Sequence, residues 1–281
     1  MSKKSGFTLV EMLVVIGIIV VLVALLVPMA AKAVSTTRNF NMAAEVSQLA
    51  TAIERYKNEK GDYPPGVQER DVKDLDQDGD RDETIYIDNR YASVVEKHLR
   101  KCYPKIDRTP GGEVDNFYAN ILPNLSPDES LVFWLSLTQN DERRPFTSQS
   151  KNYKQYYSFK QERLIDFDSD GFRSYKPNYA GETPFVYFDS RTYLSHGKAQ
   201  FSVGGAQPYC DDNAKYMNPT TFQIVSAGQD QEFGEAADQF DLVTGSAQNP
   251  KRFKSGVNYT DEDKDNLTNF AEGRKLVDHI P

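Results

Sequence analysis

From Met12 to Ala31 the chain is apolar, broken only by Gly17 and Pro28, and it carries no charge. Twenty helical residues rise about 30 Å, the thickness of a bilayer's hydrocarbon core, so this run is long enough to cross a membrane. No second run of that length follows, which argues against a multispanning transporter and against a purely cytosolic enzyme. Past it the period changes but the helix signal persists. Met42, Val46, Leu49, Ile53 and Tyr56 recur at spacings of three and four, with Glu45, Gln48, Arg55 and Lys57 on the other faces. Such a stripe belongs to a helix with one side on a core. Gly61 after Lys60 is a stop signal, and Pro64-Pro65 forbids continuation. A helix from Phe7 to Lys60 would be about 80 Å long at 1.5 Å per residue. Only its first part can lie in lipid, and its second part must lay its stripe on a head.

After Gly61 short elements alternate with turn-rich connections. Thr84 to Ile87, Leu164 to Phe167, Pro184 to Phe188, Thr221 to Ser226 and Asn266 to Phe270 read as strands. Tyr91 to Lys101 reads as a short helix, and Ser126-Pro127-Asp128-Glu129 as a helix start with a serine cap, a proline in the first turn and an acid at the third position. The Leu131, Val132, Trp134, Leu135 and Leu137 that follow are core positions. Together these predict an α+β fold: a long helix carrying a head with an antiparallel sheet packed against it.

Composition qualifies this picture. A mean hydropathy of −0.61 looks like an ordinary soluble acidic protein. Without the Met12–Ala31 run, however, the remainder is only about 35% apolar, below the usual globular share. A net charge of −8 disfavours nucleic acid, whose binders need a basic stripe. Acids cluster instead: nine Asp or Glu lie between Gly61 and Glu83, against Arg70, Lys73 and Arg81. Cys102 and Cys210 fit no metal spacing; they either pair across an exported head or stay as free thiols. His98, His196 and His279 sit in unrelated contexts and read as surface or structural residues. With no GxSxG, HExxH or phosphate-binding glycine loop present, the chain does not read as an enzyme.

The amino terminus reads Met1-Ser2-Lys3-Lys4-Ser5-Gly6-Phe7-Thr8-Leu9-Val10-Glu11. A conventional secretory signal would be cut after the apolar run, but Pro28-Met29-Ala30-Ala31-Lys32 leads into more helix, so the segment is expected to stay attached. A lone carboxylate inside such a segment costs about 2.5 to 3.5 kcal/mol on insertion scales, so Glu11 calls for a partner. Gly-Phe-Thr-Leu-Val-Glu between a basic leader and an apolar helix resembles the prepilin signature of type IV pilins and type II secretion pseudopilins. The helix end, Tyr56 to Gly61 followed by Asp62-Tyr63-Pro64, is similar to that of the secretion type.

The resemblance implies cleavage between Gly6 and Phe7 by a prepilin peptidase, methylation of the new Phe7 amine, and pairing of Glu11 with that amine on a neighbouring subunit. Losing Lys3 and Lys4 with the leader would take the charge from −8 to −10. Residues 1–6 would be leader, 7–60 rod with 7–31 in the membrane, and 61–281 a periplasmic or extracellular head. Pro28 matches a proline where such helices loosen in filaments, and by itself should kink or locally melt the rod. The implied partners are other copies of the chain in a helical polymer, other pseudopilins, the inner-membrane assembly machinery and secreted cargo. A type IV pilin, or a minor tip subunit or adhesin holding a carbohydrate or cargo protein, is the alternative reading.

Two acidic loops share a DxDxDG core, a pattern of alternate carboxylates and a turn glycine that can wrap a hard cation such as Ca2+. One holds Asp74, Asp76 and Asp78, with Asp80, Asp82 or Glu83 available to complete it; the other holds Asp166, Asp168 and Asp170. Their twelfth positions fall on Ile85 and Pro177, so neither is a full EF-hand, and the second has no completing carboxylate nearby in sequence. Phe222 to Asp230 and Asp265 to Phe270 resemble the end of major pseudopilins, which implies a structural calcium site with Asp230 and Asp265 as ligands. Here about thirty extra residues separate the two pieces, long against usual loop lengths, and Asn266 stands where a second acid is common.

Overall fold

The stripe at 42–56 organises the molecule. The computed structural model describes residues 9–66, 71–72, 85–86, 89–136, 141–147, 155–178, 181–195, 199–201, 204–234, 240–241, 246–247 and 251–281. Within it Met42, Val46, Leu49, Ile53 and Tyr56 are at most 1% exposed on one helix, α1 (Leu9–Lys60). The helix stops where Gly61 takes a left-handed φ of 85° and donates its N–H to the Lys57 carbonyl at 2.7 Å, a conformation that costs glycine little. Pro28 does not melt the rod: α1 runs unbroken through it. Loss of a single hydrogen bond is absorbed where long helical stretches continue on both sides.

The head follows as β1 (Asp71–Val72), β2 (Ile85–Tyr86), α2 (Asn89–Cys102), α3 (Glu113–Asn116) running into a π-helical turn at Phe117–Ile121, and α4 (Pro127–Ser136). Then come β3 (Leu164–Ile165), β4 (Ser174–Tyr175), β5 (Val186–Asp189), β6 (Ala199–Phe201), β7 (Gly204–Ala206), β8 (Phe222–Ser226), β9 (Phe240–Asp241), β10 (Ser246–Ala247) and β11 (Leu267–Thr268). The chain therefore has an α+β, lollipop-like fold of the type IV pilin kind, a long apolar helix followed by a head of small antiparallel sheets.

The central sheet is antiparallel in the order β11-β8-β5, with Val186 opposite Val225, Asp189 opposite Phe222 and Leu267 opposite Ser226. Side chains alternate faces along a strand, and here both faces are covered. Tyr187, Phe222 and Ile224 join the core made by α1, α2 and α4, around Trp134 and Tyr56. Val186, Phe188 and Val225 point the other way, into a second core with Tyr209, Phe233, Phe253 and Leu276 from the irregular carboxyl-terminal third. Gln223, fully buried, pins that layer by donating to the carbonyls of Tyr209 (3.0 Å) and Met217 (2.8 Å) and accepting from the Tyr209 N–H (2.8 Å). The head is large because it carries this extra layer.

The predicted strands at 164–167 and 266–270 shorten to two residues each. β3 ends at Ile165 because Asp166 opens a turn. The Asn266–Phe270 strand keeps only Leu267 and Thr268 because the Asn269 side chain takes over the pairing, accepting from Ile224 N–H (3.0 Å) and donating to the Phe222 carbonyl (3.2 Å). The Cys102–Cys210 pairing is not made. Cys102 closes α2 against the first core, whereas Cys210 is bridged to Tyr216 and Arg252 in the carboxyl-terminal layer, so different parts of the head hold the two free thiols. Burial pushes both up to about 12.

Candidate functional site

Among the described residues, nothing in the head covers the first half of α1. Leu9, Leu13, Ile16, Leu22 and Leu26 are all more than half exposed, and the segment is long and apolar enough to span a bilayer. Glu11 lies on this half, in the first turn of the described helix, and is exposed. Gly6 and Phe7 lie outside the described residues. A helix that is apolar on every side is stable only when surrounded by lipid or by other helices. This half therefore carries the molecule's unmet demand for contacts.

The second candidate is the turn after β8. Gly228 has a φ of 71°, and any Cβ there would strike the Asp265 carboxylate and its carbonyl oxygen. That close approach lets Asp265 Oδ2 accept the N–H groups of Gln229 (2.7 Å) and Asp230 (3.4 Å). The structure thus brings together Asp230 and Asp265, which sequence places 35 positions apart. Burial, and then the neighbouring Asp265, push the Asp230 carboxyl up to about 6. Asp265 Oδ1 is buried without a hydrogen-bond partner, and Lys275 Nζ lies 3.8 Å from Oδ2. An orphaned buried oxygen beside a second carboxylate fits a hard cation. Gln229 turns its amide to α1, donating to Ser35 O (2.9 Å) and Ser35 Oγ (3.0 Å) and contacting Asn39. The turn is therefore a clasp on the rod just beyond its bare half.

The third candidate is the β3–β4 hairpin, with Asp166, Asp168 and Asp170 in its tip. Its base grips the rod. Arg163 puts both terminal nitrogens on Glu45 of α1, at 2.5 and 2.9 Å, and lies 4.3 Å over the Tyr175 ring. Its tip meets the start of α4, where the Ser126 N–H donates to Glu129 Oε2 at 2.9 Å as the capping motif requires. The Ser126 hydroxyl departs from that motif and donates to Asp128 (2.7 Å), which also accepts from Ser174 on β4 (2.5 Å). Glu129, Asp168 and Asp170 converge with one carboxylate oxygen each, all within 4.8 Å of one another. Burial raises Asp128, and burial raises Glu129 to about 7, with Asp128 and Asp170 adding to the effect on Glu129. Sequence reasoning missed Glu129 as a member of this group. The only signal was an acid in a buried helical turn, which the cap already explained. The first DxDxDG loop, with Asp74, Asp76, Asp78, Asp80 and Asp82, lies outside the described residues.

His98 proves to be structural. It is fully buried between Tyr56, whose Oη is 2.9 Å from Nε2, and Asp62, whose Oδ2 is 3.6 Å from Nδ1. Burial, helped by Arg191, brings it down to about 4 although Asp62 pulls the other way. Arg191 in turn ties Asp62 (2.6 Å) and the Tyr63 carbonyl (2.8 Å) into the head.

Residues 1–27 match the family model described as the prokaryotic N-terminal methylation motif. No curated protein and no solved structure matches the chain. Together with the bare apolar helix, the motif supports a type IV pilin-like protein: a membrane-anchored structural subunit, processed by a prepilin peptidase and assembled into a pilin-type filament.

Proposed function

We propose that this chain is a pseudopilin of a type II secretion system, held in the inner membrane by residues 7–31 with its head in the periplasm and drawn into a helical filament that pushes exported proteins through an outer-membrane channel. The observation that carries the reading is the exposed apolar half of α1, which carries an acidic residue, Glu11, in its first turn. On this reading Glu11 neutralises the methylated Phe7 amine of a neighbouring subunit, and both charges leave water together. The Gly228-Gln229-Asp230 turn, which sets Asp230 beside Asp265, supports the secretion type over other pilin-like proteins, with the two acids as Ca2+ ligands on this reading. Its role would be to brace the clasp on Ser35 and Asn39. The test is Glu11→Ala in cells. The reading expects loss of filaments at normal protein level, and unchanged assembly would sink the pairing mechanism.

One feature favours a second reading, a minor tip subunit that holds a carbohydrate or a cargo protein. A polar groove of 440 Å³ lies between α1 and the head, lined by Asn41, Glu45, Gln48, Tyr157, Lys160 and Asn178. Amides beside the half-buried Tyr157 ring suit a sugar. Copy number per filament separates the readings, many for a major subunit and about one for a tip.

A further inference from the structure

We propose that the β3–β4 hairpin tip and the first turn of α4 form a calcium site, in which Glu129 supplies the carboxylate that the DxDxDG loop lacks. The loop alone offers Asp166, Asp168 and Asp170, and its twelfth position is Pro177, which has no side-chain oxygen. The fold replaces it from another element. A carboxylate oxygen of Glu129 lies within 4.8 Å of one from Asp168 and one from Asp170, close enough for a single ion to bridge all three at the 2.3–2.6 Å typical of Ca2+.

A second observation is independent of the loop. Glu129 is only 3% exposed, and the Ser126 N–H holds its Oε2 at 2.9 Å. Asp128 beside it is equally buried. Neither has a Lys, Arg or His partner among the described residues, and the charged neighbours that act on them are acids, Asp168 on Asp128 and Asp128 with Asp170 on Glu129. Buried carboxylates persist where they are paired or bind metal, and among the described residues this pair has no cation. Asp166 adds an orphan: Oδ2 accepts the Gly171 N–H at 3.1 Å, while Oδ1 is shut from solvent without a partner. An all-oxygen set without His or Cys excludes a zinc preference, and its irregular spread over two elements suits Ca2+ better than the strict octahedron of Mg2+.

The ion has a structural consequence. The hairpin's base already holds α1 through Arg163 and Glu45, and Ser174 reaches Asp128. Calcium at the tip fixes the other end of the hairpin to α4, whose Trp134 packs edge-on to Tyr56 of α1. Head and rod are then braced on two sides. The site is independent of the secretion reading and of the Asp230–Asp265 turn.

The test is calorimetric calcium titration and thermal unfolding of the full chain in detergent after chelation. Wild type is compared with Glu129→Gln, Asp168→Asn and, as a control for the other site, Asp230→Asn. Glu129→Gln and Asp168→Asn are each expected to weaken one binding event by at least about tenfold and to shrink the calcium-dependent rise in Tm, while Asp230→Asn leaves that event intact and Mg2+ at the same concentration does not substitute. Asp168 is exposed, so its variant keeps the test valid if the Glu129 variant does not fold. Wild-type stoichiometry and affinity in folded Asp168→Asn would overturn the proposal.

Discussion

Leu22 and Leu49 lie on the same unbroken helix, yet Leu22 is 51% exposed and Leu49 is 0% exposed. The first half of α1 is apolar on all sides and is covered by none of the described head. The second half is apolar on one side only, and that side is the middle of the core. Backbone geometry is shared, so the difference lies in what each half must be surrounded by. The second half finds its surroundings within the chain. The first finds none there, and lipid before assembly and neighbouring helices after it are the surroundings that suit it. The two clasps, Gln229 on Ser35 and Asn39 and Arg163 on Glu45, both fall at or beyond residue 35, so the boundary between the halves is built as well as sequence-coded.

Paired truncations of side chains break the comparison most sharply. Leu49→Ala should lower the unfolding free energy of the detergent-solubilised chain by about 2–5 kcal/mol, the cost of a cavity in a packed core. Leu22→Ala should leave it unchanged and affect only membrane residence or filament assembly. Equal effects on head unfolding would mean that the halves are not separate in role.

A smaller effect comes from acid, and it should touch only the second half. His98 stacks beside Tyr56 and is held neutral down to about pH 4, against an ordinary value near 6.5. The unfolded chain takes up this proton as pH falls below 6.5, while the folded chain refuses it until about 4. Stability from His98 is therefore complete above 6.5 and is lost as pH falls towards 4. Between pH 7 and pH 5 the His98 share of the loss is about 2 kcal/mol; Glu129 and Asp230, raised to about 7 and about 6, act with the opposite sign in the same window, so the His98 share is read by urea unfolding as the difference between wild type and His98→Phe at the two values. The facing groups work in both directions: Asp62, itself brought to about 2 as His98 and Arg191 outweigh its burial, favours the charged ring, whereas Arg191 and Lys101 oppose it. His98→Phe should remove this share, so that acidification from pH 7 to pH 5 costs the variant about 2 kcal/mol less than the wild type.

Much of this contrast was legible in the sequence, because it is local. The Met42-to-Tyr56 stripe, the Gly61 stop and the Ser126–Glu129 helix start each depend on residues within a turn or two of one another. The main strands were legible too, as short apolar runs. What was not legible depends on distance. Glu45 meets Arg163 across 118 positions, and Glu129 meets Asp168 and Asp170 across about forty, so no spacing rule brings them together. Asn266 departed from the expected acid, and its amide goes to Tyr209 Oη (2.9 Å) in the second core. The cysteines follow the same rule: spacing left a bond and free thiols both open, and only the packing of separate layers shows the two held apart.

The central claim is that the bare half of α1 is the processed, assembly-ready end of a pilin-like subunit. Its most direct test is mass spectrometry of the amino-terminal peptide from the protein isolated in its own membrane. The account predicts a peptide that begins at Phe7 with a methyl group on its amine. A chain that retains Lys3 and Lys4, or one cut beyond Pro28, would contradict it.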